Sequence, residues 1–341
     1  MLDLSLRRIF AATIAGISIV LFVVGSATAQ KYVIKVGHPL PPKSALQKWG
    51  VYFKEGVEKR AADRFEVKLY PTSLLGAIPR MIEGTQLGTI ELVTIPPAFF
   101  TGIDQRYSVL AAPGIFDDIS HGHRAVHDPE FKQAFWPIGE PKGLKMVGMS
   151  CDAPSDYATV RPIRTIADFK GRKLRVFGSR FELESMRRVG ATGVPMPLSE
   201  VVPAIQRKVI DGNKAGITVF VPFKYQTIAP YVLKAKQSII CINRFASKVW
   251  FDKLPRDLQQ IVVEEAAVAD RRILPFTVAL VNRMYGIWTK TGGTLTELSP
   301  MEDAELRRRL STVGEAVLKD RPKVLGMYKI MKAAAERTRQ R

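Results

Sequence analysis

The sequence predicts an α/β fold divided into two lobes, and three observations carry that prediction. β-rich runs alternate with amphipathic helical stretches from Lys31 to Ile242. The 341 residues are enough for two packed lobes rather than one small core. From Pro255 onward the alternation gives way to one long helical stretch. Such alternation makes parallel or mixed sheets covered by helices, which bind ligands at the carboxyl ends of their strands, and two sheets facing each other leave a cleft between them.

Taken in order, Lys31–Val36 alternates as a first strand. Ser44 is placed to cap a helix with Leu46, Trp49, Phe53 and Val57 on its apolar face. Glu66–Tyr70 is a strand ended by Pro71, and Leu74-Leu75-Gly76 turns the chain into a short helix around Arg80–Gln86. Ile90–Ile95 is a strand stopped by Pro96-Pro97. A helix around His121–His127 precedes the strand Lys145–Met149, and Thr165 caps a turn through Asp168-Phe169. Lys173–Val176 reads as a strand, Ser179–Val189 as a helix, and Leu198–Arg207 as a helix capped by Ser199 or the residue before it. After Asp211-Gly212 the pattern predicts irregular structure and a helix started by Pro222, then an extended Ser238–Ile242. Pro255–Trp288 is helical, with a kink expected at Pro275, and Thr294–Glu297 is a brief strand. Ser299-Pro300-Met301-Glu302 has the form of a capping box, and a last helix fills much of the chain from Pro322.

The first residues follow a different rule. Arg7 and Arg8 precede an apolar run of 16 residues, Ile9–Val24, followed by Gly25-Ser26-Ala27-Thr28-Ala29-Gln30. A basic start, an apolar stretch and a small-residue cut site make a secretory leader over residues 1–29, cleaved after Ala29. The formal charge is +19; the leader holds Arg7, Arg8 and Asp3, a net +1, which leaves +18 on the remainder. The basic residues are scattered among acidic neighbours without an aromatic stacking stripe, so nucleic acid is not the expected partner and long-range attraction of anionic solutes is. Cys151 and Cys241 both end strand-like runs, where buried thiols and a disulfide in an oxidising compartment are both compatible with the pattern.

The chain lacks Gly-x-Ser-x-Gly, Walker, Gly-x-Gly-x-x-Gly and His-Glu-x-x-His motifs, and no cofactor is expected. His123 and His127 share a helix spacing, but the better reading of His121–His127 is a polar helix start at the surface, with no metal. Arg175 is the residue that stands out, because it sits inside an apolar strand, where a guanidinium needs a partner. That partner is either a buried acid of the protein or a carboxylate ligand held by two parallel hydrogen bonds.

A set of short motifs carries a resemblance. Val36-Gly37-His38-Pro39, Tyr70-Pro71, Leu75-Gly76, Ile82-Glu83-Gly84 and Gln86–Glu91 come first. The block Arg161–Val176, then Met196–Glu200, Ile210-Asp211-Gly212 and Phe223-Lys224-Tyr225, follow in order. The sequence resembles the solute-binding subunits of tripartite ATP-independent periplasmic (TRAP) transporters, the DctP-like family. The resemblance implies a type II-like, two-lobed periplasmic binding protein with hinge strands and a lobe-spanning helix. Residues 30–152 with 241–280 would form the first lobe and 153–240 with 281–341 the second, bringing both cysteines near the crossings. It further implies a periplasmic, non-catalytic protein that captures a small organic carboxylate and passes it to membrane permease subunits, meeting the membrane only through them.

In that family the arginine at the position of Arg175 pairs with the carboxylate. Other family features are absent: Ala215 stands where an asparagine is common, Cys151–Tyr157 holds no second arginine, and Leu198 replaces an aromatic. The implied ligand is therefore a monocarboxylate with an apolar body. Phe177, Asn213, Lys214, Phe220, Asp156, His38 and Pro96 complete the expected pocket with Arg175, Leu198 and Ala215. An exported receptor of another importer or sensor system, and a periplasmic enzyme, are the alternatives.

Overall fold

Among the described residues eleven strands sort into two sheets, because each sheet needs its apolar faces covered by helices. The structure, a computed structural model, describes residues 31–340, so the leader expected over 1–29 lies outside the described residues. The strands are β1 (Tyr32–Gly37), β2 (Phe65–Tyr70), β3 (Leu92–Ile95), β4 (Leu144–Pro154), β5 (Asp156–Thr159) and β6 (Lys173–Val176). They continue as β7 (Thr192–Pro195), β8 (Gly212–Ala215), β9 (Tyr231–Leu233), β10 (Ile239–Ser247) and β11 (Thr294–Thr296). The first sheet runs β2-β1-β3-β10-β4 and the second β11-β9-β5-β8-β6-β7. Both are mixed: β1 is parallel to β2 and β3, and β6 to β7 and β8, while β10 and β5 run antiparallel to their neighbours.

The lobes are joined where the chain changes sheets. β4 ends in the first sheet at Pro154 and, after Ser155, continues as β5 in the second. β9 lies in the second sheet and β10 in the first, so residues 234–238 return. The two crossings are tied together by the Ser155 N–H, which donates to the Ser238 carbonyl at 2.8 Å. Close by, Cys151 and Cys241 face each other on β4 and β10 and form a disulfide.

The helix Arg256–Lys290 is continuous through Pro275 and spans both lobes. Its first half packs on β4 and on the helix Ala45–Ala61, and near its end Trp288 meets Phe220 of the second lobe. Asp270 anchors it to the first sheet. It accepts from the Trp49 indole N–H and from the Met149 N–H, both at 2.8 Å, and pairs with Arg244 at 3.0 Å. Gly148 makes this approach possible, since a Cβ there would lie 2.6 Å from the Asp270 carboxylate. The last helix, Pro322–Thr338, lies against the first-lobe segment 105–135; the His121 ring contacts the Ala335 carbonyl at 2.8 Å and Arg337 pairs with Asp128.

Several sequence expectations change here. The segment after Asp211 is not irregular: Gly212–Ala215 is the inner strand β8, and the helix that follows is Ile217–Phe220, begun at Gly216. No helix starts at Pro222, because Lys224 takes a left-handed conformation (φ 54°) two residues later. The helix at Leu198 is capped by Pro197 without a side-chain bond. Ser299 accepts from the Glu302 N–H as a cap should, but the Glu302 carboxylate turns away to the Ile166 N–H at 2.7 Å. His121 and His123 are buried rather than exposed.

Candidate functional site

β6 delivers the central residue. Its alternation puts Leu174 and Val176 on one face and Arg175 on the other, and register places Arg175 beside Val194 of β7 and Asn213 of β8. The strand ends at Val176, Phe177 follows it, and Gly178 (φ 105°) makes the turn into the helix Arg180–Arg188, capped by Ser179. Arg175 is wholly buried. Its Nε donates to the Met196 carbonyl at 3.0 Å and its Nη1 to Asn213 Oδ1 at 3.3 Å. Asn213 is itself fixed, its Nδ2 donating to the Tyr225 hydroxyl at 3.0 Å. The guanidinium lies 4.6 Å from the centre of the Phe177 ring and 5.8 Å from that of Phe99.

What Arg175 lacks is an acid. Among the described residues it forms no salt bridge, and Nη2 is buried without a protein partner. Burial pulls its pKa down from the ordinary arginine value to about 10, so the group stays charged at neutral pH. An uncompensated buried cation with a free donor is a seat for an anion, and a planar fork suits a carboxylate.

The cleft around it is walled by both lobes. Pro39, Leu40, Leu46, Ile78, Pro96 and Phe99 come from the first; Phe177, Leu198, Ala215 and Val219 face them from the second. Asp152, Ile240 and Ile242, on β4 and β10 beside the crossings, form the back. The walls leave an enclosed space of about 30 Å³ between them. Phe99 and Phe177 meet edge to face across it, with ring centres 5.7 Å apart, so the lobes touch at the arginine. A wider groove beside the helices Pro300–Ser311 and Pro322–Thr338 is lined by charges of both signs, such as Asp117 and Arg339, which pair with each other. It has no buried unpaired ion and is not the stronger candidate.

Of the residues expected in the pocket, the structure brings together Arg175, Phe177, Leu198, Ala215 and Pro96. Asn213 stands behind them and positions Arg175. Lys214, on the opposite face of β8, makes a buried salt bridge with Glu182 at 3.1 Å. Phe220 packs on Tyr225 and Trp288. His38 contacts Gln47 Oε1 at 2.8 Å, and burial pushes its pKa down to about 4. Asp156 accepts from the Tyr285 hydroxyl at 2.5 Å, and burial pushes its pKa up to about 7.

Asp152 and Thr218 are the polar lining residues that sequence reasoning missed. The Thr218 hydroxyl donates to Asp152 Oδ2 at 2.8 Å, while Oδ1 is buried without a partner. Burial pushes the Asp152 pKa up to about 6 against the Thr218 bond and the charge of Arg244.

Two mixed α/β lobes, joined by crossing strands and a shared helix with a cleft between them, have the architecture of a two-lobed solute-binding protein, the class that the family model also gives. The family model for "Bacterial extracellular solute-binding protein, family 7" (DctP) matches residues 36–320, and the chain belongs to that family. The chain is similar to the 2,3-diketo-L-gulonate-binding periplasmic protein YiaO of Escherichia coli, with 28% identity over 218 residues, 64% of this chain and 66% of that protein. In fold it matches a TRAP periplasmic solute binding protein from Desulfovibrio salexigens with bound orotic acid (TM-score 0.85, 22% identity, 91% of this chain and 100% of the other). It likewise matches the sugar acid binding protein DctPAm of Advenella mimigardefordensis in complex with galactonate (TM-score 0.84, 22% identity, 90% and 99%).

Proposed function

We propose that this chain is the exported capture subunit of a TRAP-type importer, which closes its two lobes on a small organic carboxylate and hands it to membrane permease subunits. The observation that carries this reading is Arg175, a buried cation whose Nη2 has no protein partner and which lines a cleft between two lobes. With the lobes apart, the guanidinium is hydrated. On closure water leaves, the ligand's carboxylate takes over the solvation of the cation, and the pair strengthens in the lower dielectric. Leu40, Leu46, Phe99 and Ile242 then cover the apolar body of the ligand. A ligand swings the population from open to closed only if it favours the closed form by about 5.5 kcal/mol, which one bidentate pair plus two apolar walls can supply.

The acids bound by the structural neighbours, orotic acid and galactonate, support the carboxylate class. The Cys151–Cys241 disulfide and the leader-like residues 1–29 support export to the periplasm. No helix among the described residues is long and apolar enough to cross a membrane. Binding without turnover is the activity proposed, and the bound acid is to be recovered unchanged. A thermal-shift screen against an organic-acid library tests the reading: one or more carboxylates raise the melting temperature of wild type and not of Arg175→Ala. A ligand without a carboxylate, or one that shifts both proteins equally, overturns it.

A further inference from the structure

The cleft holds two buried, incompletely bonded charges of opposite sign. Arg175 Nη2 is a donor without an acceptor, and Asp152 Oδ1 is an acceptor without a donor. Both residues line the same cleft, and apart from Thr218 the other side chains that line it are apolar. The Thr218 hydroxyl already donates its hydrogen bond to Asp152 Oδ2. Arg244, the cation whose field reaches Asp152, is bonded to Asp270 at 3.0 Å and to Ser150 Oγ at 2.8 Å, and its Nε, though without a partner, makes no bond to Asp152. Neither orphan is therefore satisfied from within the protein. A plain monocarboxylate satisfies Arg175 on closure and leaves Asp152 Oδ1 sealed away from water, which is the expensive way to bury a polar atom.

We propose that the ligand carries, besides the carboxylate that meets Arg175, a hydrogen-bond donor on an otherwise apolar body, a hydroxyl or an ammonium, and that Asp152 Oδ1 accepts from it. This deepens the carboxylate reading and rests on it. Asp152 is then the specificity residue: it selects acids with the donor against acids without it, because leaving a built acceptor unpaired discriminates more strongly than any difference in apolar contact. The two donor types share this chemistry and differ in charge, since an ammonium also neutralises Asp152 and a hydroxyl does not.

Matched acids separate the possibilities. Calorimetric titration compares 4-methylpentanoate with its 2-hydroxy and 2-amino counterparts, phenylacetate with mandelate and phenylglycine, and hexanoate with 6-hydroxyhexanoate and 6-aminohexanoate. In at least one series a donor-bearing acid binds wild type about tenfold or more tightly than the plain acid. Asp152→Ala brings that pair to within about threefold, because the donor-bearing acid loses its acceptor and the plain acid, which no longer seals an unpaired oxygen away from water, gains affinity. Asp152→Asn retains the side-chain shape and the Thr218 contact, covers the case in which the alanine variant does not fold, and weakens the donor-bearing acid at least about threefold. Whether the hydroxy or the amino member is preferred identifies the donor. Equal binding of paired acids by wild type, or a preference that survives Asp152→Ala, overturns the inference and leaves the carboxylate reading standing. Failure of every acid to bind wild type overturns both.

Discussion

Replacing Arg175 by methionine separates an arginine kept for a ligand from one kept for the fold. The substitution removes a cation whose pKa burial pulls down from the ordinary arginine value to about 10. That depression is about 3 kcal/mol of penalty on the charged form. The folded pKa is lowered, so the penalty is present at every pH below about 10 and is relieved only above it; neutral pH shows all of it. Against this stand the bonds to the Met196 carbonyl and Asn213 Oδ1, about 1 kcal/mol each, and the stacking on Phe177, about 1 kcal/mol. In the closed form the terms nearly cancel, and with the lobes apart water relieves the penalty as it competes for the bonds, so ligand-free Arg175→Met unfolds within about 1 kcal/mol of wild type. Arg244→Met is the contrast. Arg244 is equally buried but paired with Asp270, and removing it strands that acid, at a cost of about 3–5 kcal/mol. Chemical denaturation of the three proteins, with and without an organic acid that stabilises wild type, is the assay. Wild type with acid at a hundred times its Kd gains about 2.7 kcal/mol, and Arg175→Met gains nothing. If Arg175→Met loses as much as Arg244→Met, or keeps the gain from the acid, the guanidinium belongs to the fold and the reasoning fails.

Other outcomes follow from the buried groups nearby. Lys214→Met strands Glu182 and destabilises the protein by about 3 kcal/mol while leaving the affinity of the folded form for the acid within about threefold, as titration well below the melting temperature will show. Asp156 has its folded pKa raised to about 7, so the folded chain holds a proton there that the unfolded chain has lost above about 4. Its contribution to stability therefore falls as pH rises from about 4 to about 7, by at most about 1.4 kcal/mol per pH unit, and levels off above. Asp156→Asn lacks this decline, so the stability difference between variant and wild type widens over that window; a constant difference contradicts the assignment. Cys151 and Cys241 run as a bridged pair in mass spectrometry without reduction, and reduction lowers unfolding stability by about 2–5 kcal/mol. Free thiols in the native protein contradict the pairing.

The elements that sequence reasoning placed well are those whose local signal agrees with their surroundings. Ser44 and Thr165 cap as their positions predict, and the apolar spacing of Leu46, Trp49, Phe53 and Val57 marks the buried face of the helix Ala45–Ala61. Arg175 was legible for the opposite reason: a cation in an apolar strand violates its surroundings and points to function. β8 was not legible. Gly-Asn-Lys-Ala has no β-branched residue, and what makes it a strand is its place between β5 and β6. Without the strand, the alternation that sends Asn213 toward Arg175 and Lys214 toward Glu182 is invisible, so both looked like pocket residues. Asp152 was missed because the strand appeared to end at Met149. The structure extends β4 to Pro154, held by β10 and the disulfide, and this carries Asp152 to the back of the cleft. Tertiary pairing, not local preference, builds that half of the site.

A crystal structure with the captured solute in the cleft tests the central claim most directly. It will show a carboxylate oxygen of the solute within about 3 Å of Arg175 Nη2, with Phe99 and Phe177 closed over it. A solute whose acid group lies elsewhere, with Nη2 turned to a protein carboxylate or to water, contradicts it.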